Sequence, residues 1–488
     1  MRRLIKITSI GLITLDIPEE KSAGYGYDIP FDQMNIPMLP LGRLLKEKYD
    51  ISDRIQISYA RPACYEGLIK AFFDQGMTSS LYKNHIRDYF TSSFYDHKQK
   101  FYVRSLKKNM VLYAYIDGDE NELTRLLPIL ESVDHIGAEV GPVTGEVKIE
   151  ITGTSDFSTV TVDLNKNCCY NRLDYSVLLI SPACIYAPYM DGTKSYYYIP
   201  GSYILKLLGD RWEGIRCSNA YISSNGRRFL PIPACVSLVK LNKSMLHYRL
   251  APGKDRGRVE QDVPLTNAYT YNIDSHFVEY MVSETGHYPG PDGKDYDALS
   301  AGQVFSGSIY GNDRQIREIF EYLKENKFVR LGRWTSEGLG EAVVRITGLS
   351  EEAIACENLA VSFDLRCLSN TMIMNSEGMS DLRAEALSEE IEYVLGVKDR
   401  LEIIEKYTND FNDYMENPVT GCPRNAVRMF AGGTVLRMKT RDNQPIDIFK
   451  LKHCFIGERT DEGYGEIAAY PALGTYYRTA ENMPVPEI

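Results

Sequence analysis

The sequence of 488 residues has few of the residue spacings that mark the commonest metal and nucleotide sites. Its ten cysteines contain no C-x-x-C pair, and only Cys168 and Cys169 are neighbours. Structural zinc sites draw on closely spaced Cys and His ligands, so we expect free thiols in a reducing compartment and no bound zinc. No G-x-x-x-x-G-K-[ST] sequence occurs, which argues against a P-loop. We therefore expect neither a metal nor a cofactor.

Long apolar runs are also missing, because no stretch approaches the roughly 18 residues that a membrane helix needs. The opening segment MRRLIKITSIGLITLDIPEE begins like a signal peptide, but Lys6 interrupts its apolar part and Asp16 closes it. Alternation from Leu4 to Ile7 favours a β-strand instead. The sequence predicts a cytoplasmic protein without a membrane segment.

Positive charge is scarce overall, since the net charge is −11. The segment Met379–Glu416 alone contributes −7, with eleven acidic and four basic residues, so the rest of the chain carries only −4. Basic patches fit within that remainder, and 35 tyrosines supply rings that could stack on bases. The charge therefore does not exclude an RNA partner. The length predicts two to four domains.

A repeat becomes visible when the glycines are compared. The stretches IGAEVGPVTGEVKIEI, LGRWTSEGLGEAVVRI and IGERTDEGYGEIAAY begin at Ile136, Leu331 and Ile456. In each, two glycines lie eight positions apart, a Gly-Glu pair ends the loop, and a strand-like run follows. Strand patterns precede all three loops, and amphipathic helices follow those strands in the first two copies.

A second shared element is a proline turn before a helix, in IPMLPLGRLLKE and YIPGSYILKLLG. Together the elements predict a β-α-β-β-α-β order, the ferredoxin-like topology that RNA-recognition domains also use. We predict an α+β protein with tandem ferredoxin-like (RRM-like) domains at 1–153 and 154–349. A partial third repeat at 350–488 would contain a helical insertion at about 379–416.

Catalytic interpretations rest on a few residues. His135 and His453 lie just before glycine loops and could act as general bases in RNA cleavage. Asp28 and Asp32 lie before the first proline turn and could assist metal-dependent cleavage. Surface histidines and turn-forming aspartates are commoner than catalytic ones. The stretch GYGEIA at 463–468 matches a loose dinucleotide pattern, but it precedes a strand pattern rather than a helix.

An RNA-binding interpretation accounts for more of the sequence. Glycine loops let backbone N–H groups approach an anionic chain, and adjacent arginines add phosphate contacts. For any single exposed charge, solvation is the simpler explanation. The predicted RNA-binding residues are Arg43, Lys46, Arg227, Arg228, Gly332, Arg333, Gly338, Gly340, Gly457, Arg459, Gly463 and Gly465. The first loop has Ala138 at the arginine position and is expected to bind weakly or to be structural.

These motifs in this order resemble the RAMP superfamily of CRISPR-associated proteins, and most closely the large tandem-RAMP subunit of type III-D effector complexes. The segments that carry the resemblance are GYGYDIPFDQMNIPMLPLGRLLKE, IRCSNAYISSNGRRFLPIPA, DALSAGQVFSGSI and IGERTDEGYGEI. The resemblance implies a non-catalytic subunit that holds the 5′ tag of the CRISPR guide RNA. It also implies contacts with the large polymerase-like subunit and a neighbouring RAMP subunit, and an indirect relation to target RNA. An RNA-cutting RAMP enzyme and a protein-only assembly adaptor remain the alternatives.

Overall fold

The computed structural model describes most of the chain. The described residues are 2–13, 41–42, 45, 51–52, 54–75, 91–96, 101–136, 144–153, 162–186, 194–209, 213–224, 226–240, 245–250, 268–271, 277–289, 295–351, 358–415 and 425–471. Within them the protein is a mixed α+β structure in which every strand pair is antiparallel.

The first group of elements forms the N-terminal sheet, in the order β2-β6-β1-β7, with β3 also paired to β6 and a separate β4-β5 hairpin. Its elements are β1 (Arg2–Ser9), β2 (Gln56–Ile57), β3 (Arg61–Pro62), α1 (Cys64–Gln75), β4 (Thr91–Asp96), β5 (Phe101–Leu106), β6 (Val111–Asp117), α2 (Glu120–Glu131) and β7 (Val147–Thr152). Asp119 caps α2 by accepting a hydrogen bond from the backbone of Glu122.

The second group forms the middle sheet, in the order β11-β10-β19-β8-β21-β20, and carries a separate five-stranded sheet, β12-β15-β16-β14-β13. Its elements are β8 (Tyr170–Leu179), α3 (Gly201–Leu208), β9 (Arg216–Cys217), β10 (Tyr221–Ser224), β11 (Arg227–Arg228), β12 (Leu230–Pro231), β13 (Val236–Lys240), β14 (Met245–Leu250), β15 (Ala268–Tyr271), β16 (Phe277–Val282), β17 (Thr285–Pro289), β18 (Asp295–Leu299), β19 (Val304–Tyr310), α4 (Asp313–Glu325), β20 (Phe328–Arg330) and β21 (Glu341–Glu351).

The third group forms the C-terminal sheet, in the order β24-β27-β23-β30-β29. Its elements are β22 (Leu359–Ala360), β23 (Ser362–Cys367), α5 (Ala384–Leu395), β24 (Leu401–Tyr407), β25 (Asp410–Met415), β26 (Asn425–Phe430), β27 (Val435–Thr440), β28 (Ile446–Asp447), β29 (Cys454–Phe455) and β30 (Glu466–Pro471). Short 3₁₀ turns cover Thr335–Glu337, Ile448–Leu451 and Thr460–Glu462.

One arrangement recurs in all three sheets. The first long strand of each group (β1, β8 or β23) lies between the last long strand before the glycine loop (β6, β19 or β27) and the strand after the loop (β7, β21 or β30). In the third group, α5 and β24 follow β23 as α3 and β10 follow β8. The predicted helical insertion at about 379–416 is therefore helical only over Ala384–Leu395, and its next part is a strand of the C-terminal sheet.

Apolar periodicity explains how the helices pack. The predicted face of α4 is buried in the core of the middle sheet through Ile316, Ile319, Phe320 and Leu323. A capping box between Asn312 and Gln315 satisfies backbone donors at the start of α4. Within the described residues, no helix is long and apolar enough to cross a membrane.

Candidate nucleic-acid interface

The glycine repeat forms three loops with equivalent ends, which we call the first (136–146), second (331–341) and third (456–466) glycine loops; residues 137–143 of the first lie outside the described residues. In each, the backbone N–H of the first residue donates to the carbonyl of the last glycine: Gly145, Gly340 or Gly465, at 2.8, 2.8 and 3.0 Å. That glycine in turn donates to a carbonyl just after the group's first long strand, on Leu12, Pro182 or Asn370. The loops are thus structural repeats, closed by the same two hydrogen bonds.

The second and third glycine loops share a backbone conformation that explains their glycines. Trp334 and Arg459 both have a left-handed backbone with φ of 53°, and each precedes a 3₁₀ turn. Gly338 and Gly463 end those turns with φ of 90° and 96°, a region that residues with a Cβ rarely adopt.

Those same two glycines touch the preceding group of elements. A Cβ on Gly338 would lie 2.7 Å from the carbonyl oxygen of Ile57, the last residue of β2. A Cβ on Gly463 would collide with the amide oxygen of Asn219 and lie 2.9 Å from the backbone nitrogen of Gly201 at the start of α3. The loops therefore bring backbone close to the protein itself, which is a reason for their glycines that needs no ligand.

The glutamate that ends each of these two loops is a buried ion-pair partner. Glu466 is fully buried and accepts hydrogen bonds from both terminal nitrogens of Arg228 at 3.0 and 2.8 Å. Glu341 is also fully buried, with Arg2 and Arg61 at 3.4 and 3.6 Å. Burial alone would lower the pKa of Arg228, but the charge of Glu466 outweighs it and the pKa is raised. Each arginine belongs to the preceding group, so the pairs link consecutive sheets.

The predicted cations are placed differently from one another. Arg333 is exposed, and its guanidinium lies over the ring of Tyr186 at 3.7 Å from the centroid. Arg459 is partly buried and pairs with Glu462 at 3.2 Å. Arg227 is exposed on the hairpin between β10 and β11, whereas the neighbouring Arg228 is held by Glu466. Arg333 is thus the predicted cation best presented for an external anion.

Some predicted residues cannot be placed. Asp28, Asp32, Arg43 and Lys46 lie outside the described residues, so both the metal-dependent cleavage hypothesis and the basic residues of the first proline turn stay predictions.

The two histidine candidates lie in unlike surroundings. His135 is partly exposed, and its Nδ1 lies 2.9 Å from a carboxylate oxygen of Asp134. His453 has a left-handed backbone, and its Nδ1 lies 3.3 Å from the hydroxyl of Tyr310. His453 is exposed at the surface, but desolvation of its imidazole by the surrounding protein, with Arg172 nearby, lowers its pKa to about 4, so the imidazole is neutral at pH 7.

His453 opens onto a cleft of about 350 Å³ between the middle and C-terminal sheets. The charged lining includes Arg172, Asp174 and Lys452, three residues that our sequence analysis did not single out. A signal for two of them was present, because alternation along β8 places Arg172 and Asp174 on one face and buried Leu173 and Tyr175 on the other.

Comparisons with known proteins give only distant likenesses. No family model matches the chain, and no curated protein matches its sequence. A Cas6-related protein from Pyrococcus furiosus is similar in structure at 12% identity and a TM-score of 0.29, over 62% of this chain and 99% of that one. A RAMP protein that binds different RNA substrates is similar at 10% identity and a TM-score of 0.27, over 62% of this chain and 100% of that one. A chain of a type III-B Cmr-beta complex bound to cognate target RNA is similar at 9% identity and a TM-score of 0.29, over 55% of this chain and 86% of that one. Likenesses with TM-scores this low carry no argument about fold or function.

Proposed function

We propose that this chain is a non-catalytic guide-RNA-binding subunit of a type III CRISPR effector complex, of the tandem-RAMP kind. The ordered sequence motifs support this proposal, and so does the recurring strand order, which is that of a ferredoxin-like βαββαβ unit. We further propose three such units, the third including α5 and β24. In this proposal the subunit holds the 5′ tag, contacts the large polymerase-like subunit and a neighbouring RAMP subunit, and meets target RNA only indirectly.

The observation that carries the RNA contact is the exposed Arg333 stacked on Tyr186 in the second glycine loop. A guanidinium placed over a ring can still direct N–H donors at phosphate oxygens, and the ring contact limits the side-chain entropy lost on binding. Arg459 is a weaker candidate for a phosphate contact, because Glu462 already compensates its charge. The backbone amides of Gly340 and Gly465 are used inside the protein, so the side chains rather than these amides are the expected contacts.

Binding of single-stranded guide RNA by the Arg333→Ala variant tests this assignment. Losing one phosphate contact should weaken binding and reduce the slope of log affinity against log salt by about 0.7. Arg314→Ala is the matched control, since Arg314 is exposed on α4 and pairs with Glu318. Equal affinities and salt slopes for wild type, Arg333→Ala and Arg314→Ala would contradict the loop assignment.

The pairing of His453 with Tyr310 favours a second candidate, a metal-independent endoribonuclease. A neutral imidazole could accept the proton of a 2′-hydroxyl. With a pKa of about 4, however, it would rarely be protonated at pH 7 to protonate the leaving group, and general acid–base catalysis is most efficient near the working pH. Cutting of repeat RNA in EDTA that is lost in His453→Ala would establish this alternative. Cutting that needs Mg²⁺ and Asp28 or Asp32 would establish the metal-assisted form, and purification with partners but without RNA would favour the adaptor.

A further inference from the structure

The cleft beside His453 lies between sheet faces that do not pack on helices. The helices of the middle and C-terminal groups cover cores that contain Leu173, Tyr175 and Ile467. Because side chains alternate along a strand, Arg172 and Asp174 of β8 and Glu466 of β30 point to the opposite faces. The two polar faces therefore meet at this cleft.

The charges in the cleft leave a positive balance. Arg172 pairs with Asp174 at 3.1 Å, and Arg228 pairs with Glu466 at 2.8 Å. The third cation, Lys452, is exposed and has no ion-pair partner among the described residues; its ammonium lies 5.9 Å from the ring centroid of Phe449. One positive charge is thus left uncompensated at the mouth of the cleft.

Two hydrogen-bond donors in the cleft are also unused. The Nε groups of Arg172 and Arg228 are buried and have no acceptor within the part of the chain that the structure describes. A buried N–H without an acceptor costs about 1–3 kcal/mol. Because both Nε groups are buried, an occupant would meet these arginines only through their exposed part, which for Arg172 is 22% of the side chain.

The remaining lining suits a flat, weakly polar group. Phe449, Leu230 and Ile448 contribute apolar surface, and Tyr470 adds a second ring. The carboxylate of Asp174, whose side chain is 30% exposed, could accept hydrogen bonds from sugar hydroxyls or from N–H groups of a base. A volume of about 350 Å³ is within the range of small-ligand sites, about 300–1,000 Å³.

We propose that this cleft binds one nucleotide, whose phosphate contacts Lys452 and Arg172 and whose base packs against Phe449. This inference rests on the proposed function for the source of the nucleotide, which is one residue of the bound RNA turned out of its chain. A free nucleoside monophosphate has the same chemistry, so the experiment separates the two sources.

The experiment uses the full chain, a fluorescein-labelled single-stranded RNA carrying 4-thiouridine, and UMP as a free-nucleotide probe. Lys452→Ala and Phe449→Ala remove the phosphate and base contacts, and Lys450→Ala is the matched control. Lys450 is exposed on the 3₁₀ turn that precedes Lys452 but does not line the cleft. Because Lys452 is exposed, its variant should fold normally, and equal melting temperatures would verify this.

We expect Lys452→Ala to weaken RNA binding about tenfold, the effect of one charge-assisted hydrogen bond, and Lys450→Ala to change it less than about twofold. Photocrosslinks should map to the 448–453 peptide and disappear in Phe449→Ala. Weak UMP binding that is lost in Lys452→Ala, without RNA binding, would also support the nucleotide site but would refute the proposed RNA function.

If RNA binds and both lysine variants behave alike, with no crosslink in the cleft, the nucleotide inference is overturned while the proposed function stands. Binding of neither RNA nor UMP would overturn both.

Discussion

Replacing Arg228 with alanine should destabilise the joint between the middle and C-terminal sheets rather than remove an RNA contact. Arg228 donates two hydrogen bonds to Glu466 and a third, at 2.7 Å, to the carbonyl of Asn219. Its loss leaves the carboxylate of Glu466, which is fully buried, without a counter-charge. Breaking one side of a buried ion pair costs about 3–5 kcal/mol. For a unit of about 150–250 residues this corresponds to a melting temperature lower by roughly 6–20 °C.

The neighbouring Arg227 supplies the control, since it is exposed on the same hairpin. Thermal unfolding and RNA affinity would be measured for Arg227→Ala, Arg228→Ala and the double variant Arg228→Met with Glu466→Leu. The double variant should recover most of the stability, because apolar side chains of similar size can replace a buried pair. A melting temperature for Arg228→Ala no lower than that of Arg227→Ala, together with a loss of RNA affinity, would refute the assignment of Arg228 to the joint.

Three further predictions follow from the same contacts. Gly463→Ala should make the contact between the middle and C-terminal sheets more sensitive to limited proteolysis, because its Cβ would collide with the middle group. The control Gly396→Ala has open space around it and should cost only about 1–2 kcal/mol of backbone strain. His453 should titrate by NMR with a midpoint of about 4 against 6.5 unfolded, so its contribution to stability is present above pH 6.5 and falls as the pH drops towards 4; His453→Gln should flatten that dependence. Tyr464→Phe should cost about 1–3 kcal/mol, since its hydroxyl lies 3.1 Å from the buried carboxylate of Asp413, and should speed hydrogen exchange in the β25-β26 hairpin.

The local elements could be predicted from the sequence because their signals are local. The apolar face of α4 and the strand after each glycine loop are confirmed, since spacings of 3.6 and 2 residues follow from helix and strand geometry. The role of α5 could not be predicted in the same way. No proline turn precedes it, and only its pairing context, through β24 and β27, shows that it continues a repeated arrangement.

The burial and pairing of the charged side chains could not be predicted from the sequence, for a different reason. Arg228 and Glu466 are 238 positions apart, and arginine is so often exposed that exposure was the natural expectation. Only the fold shows that one of two adjacent arginines is partly buried and held by Glu466. The cleft residues Arg172 and Lys452 were missed because they come from different groups and share no motif.

The three glutamates of the glycine repeat have the same place in the sequence pattern but different structural roles. All three glycine loops close with the same hydrogen bonds, so the G-E pair has one local role throughout. The side chains differ, however: Glu146 is exposed, whereas Glu341 and Glu466 are fully buried against arginines of the preceding group. A motif made only for a ligand would give no reason for this difference. The repeat therefore combines a loop closure that every copy shares with an ion pair between sheets, which forms where the preceding group supplies an arginine. The RNA hypothesis for the second loop rests on Arg333.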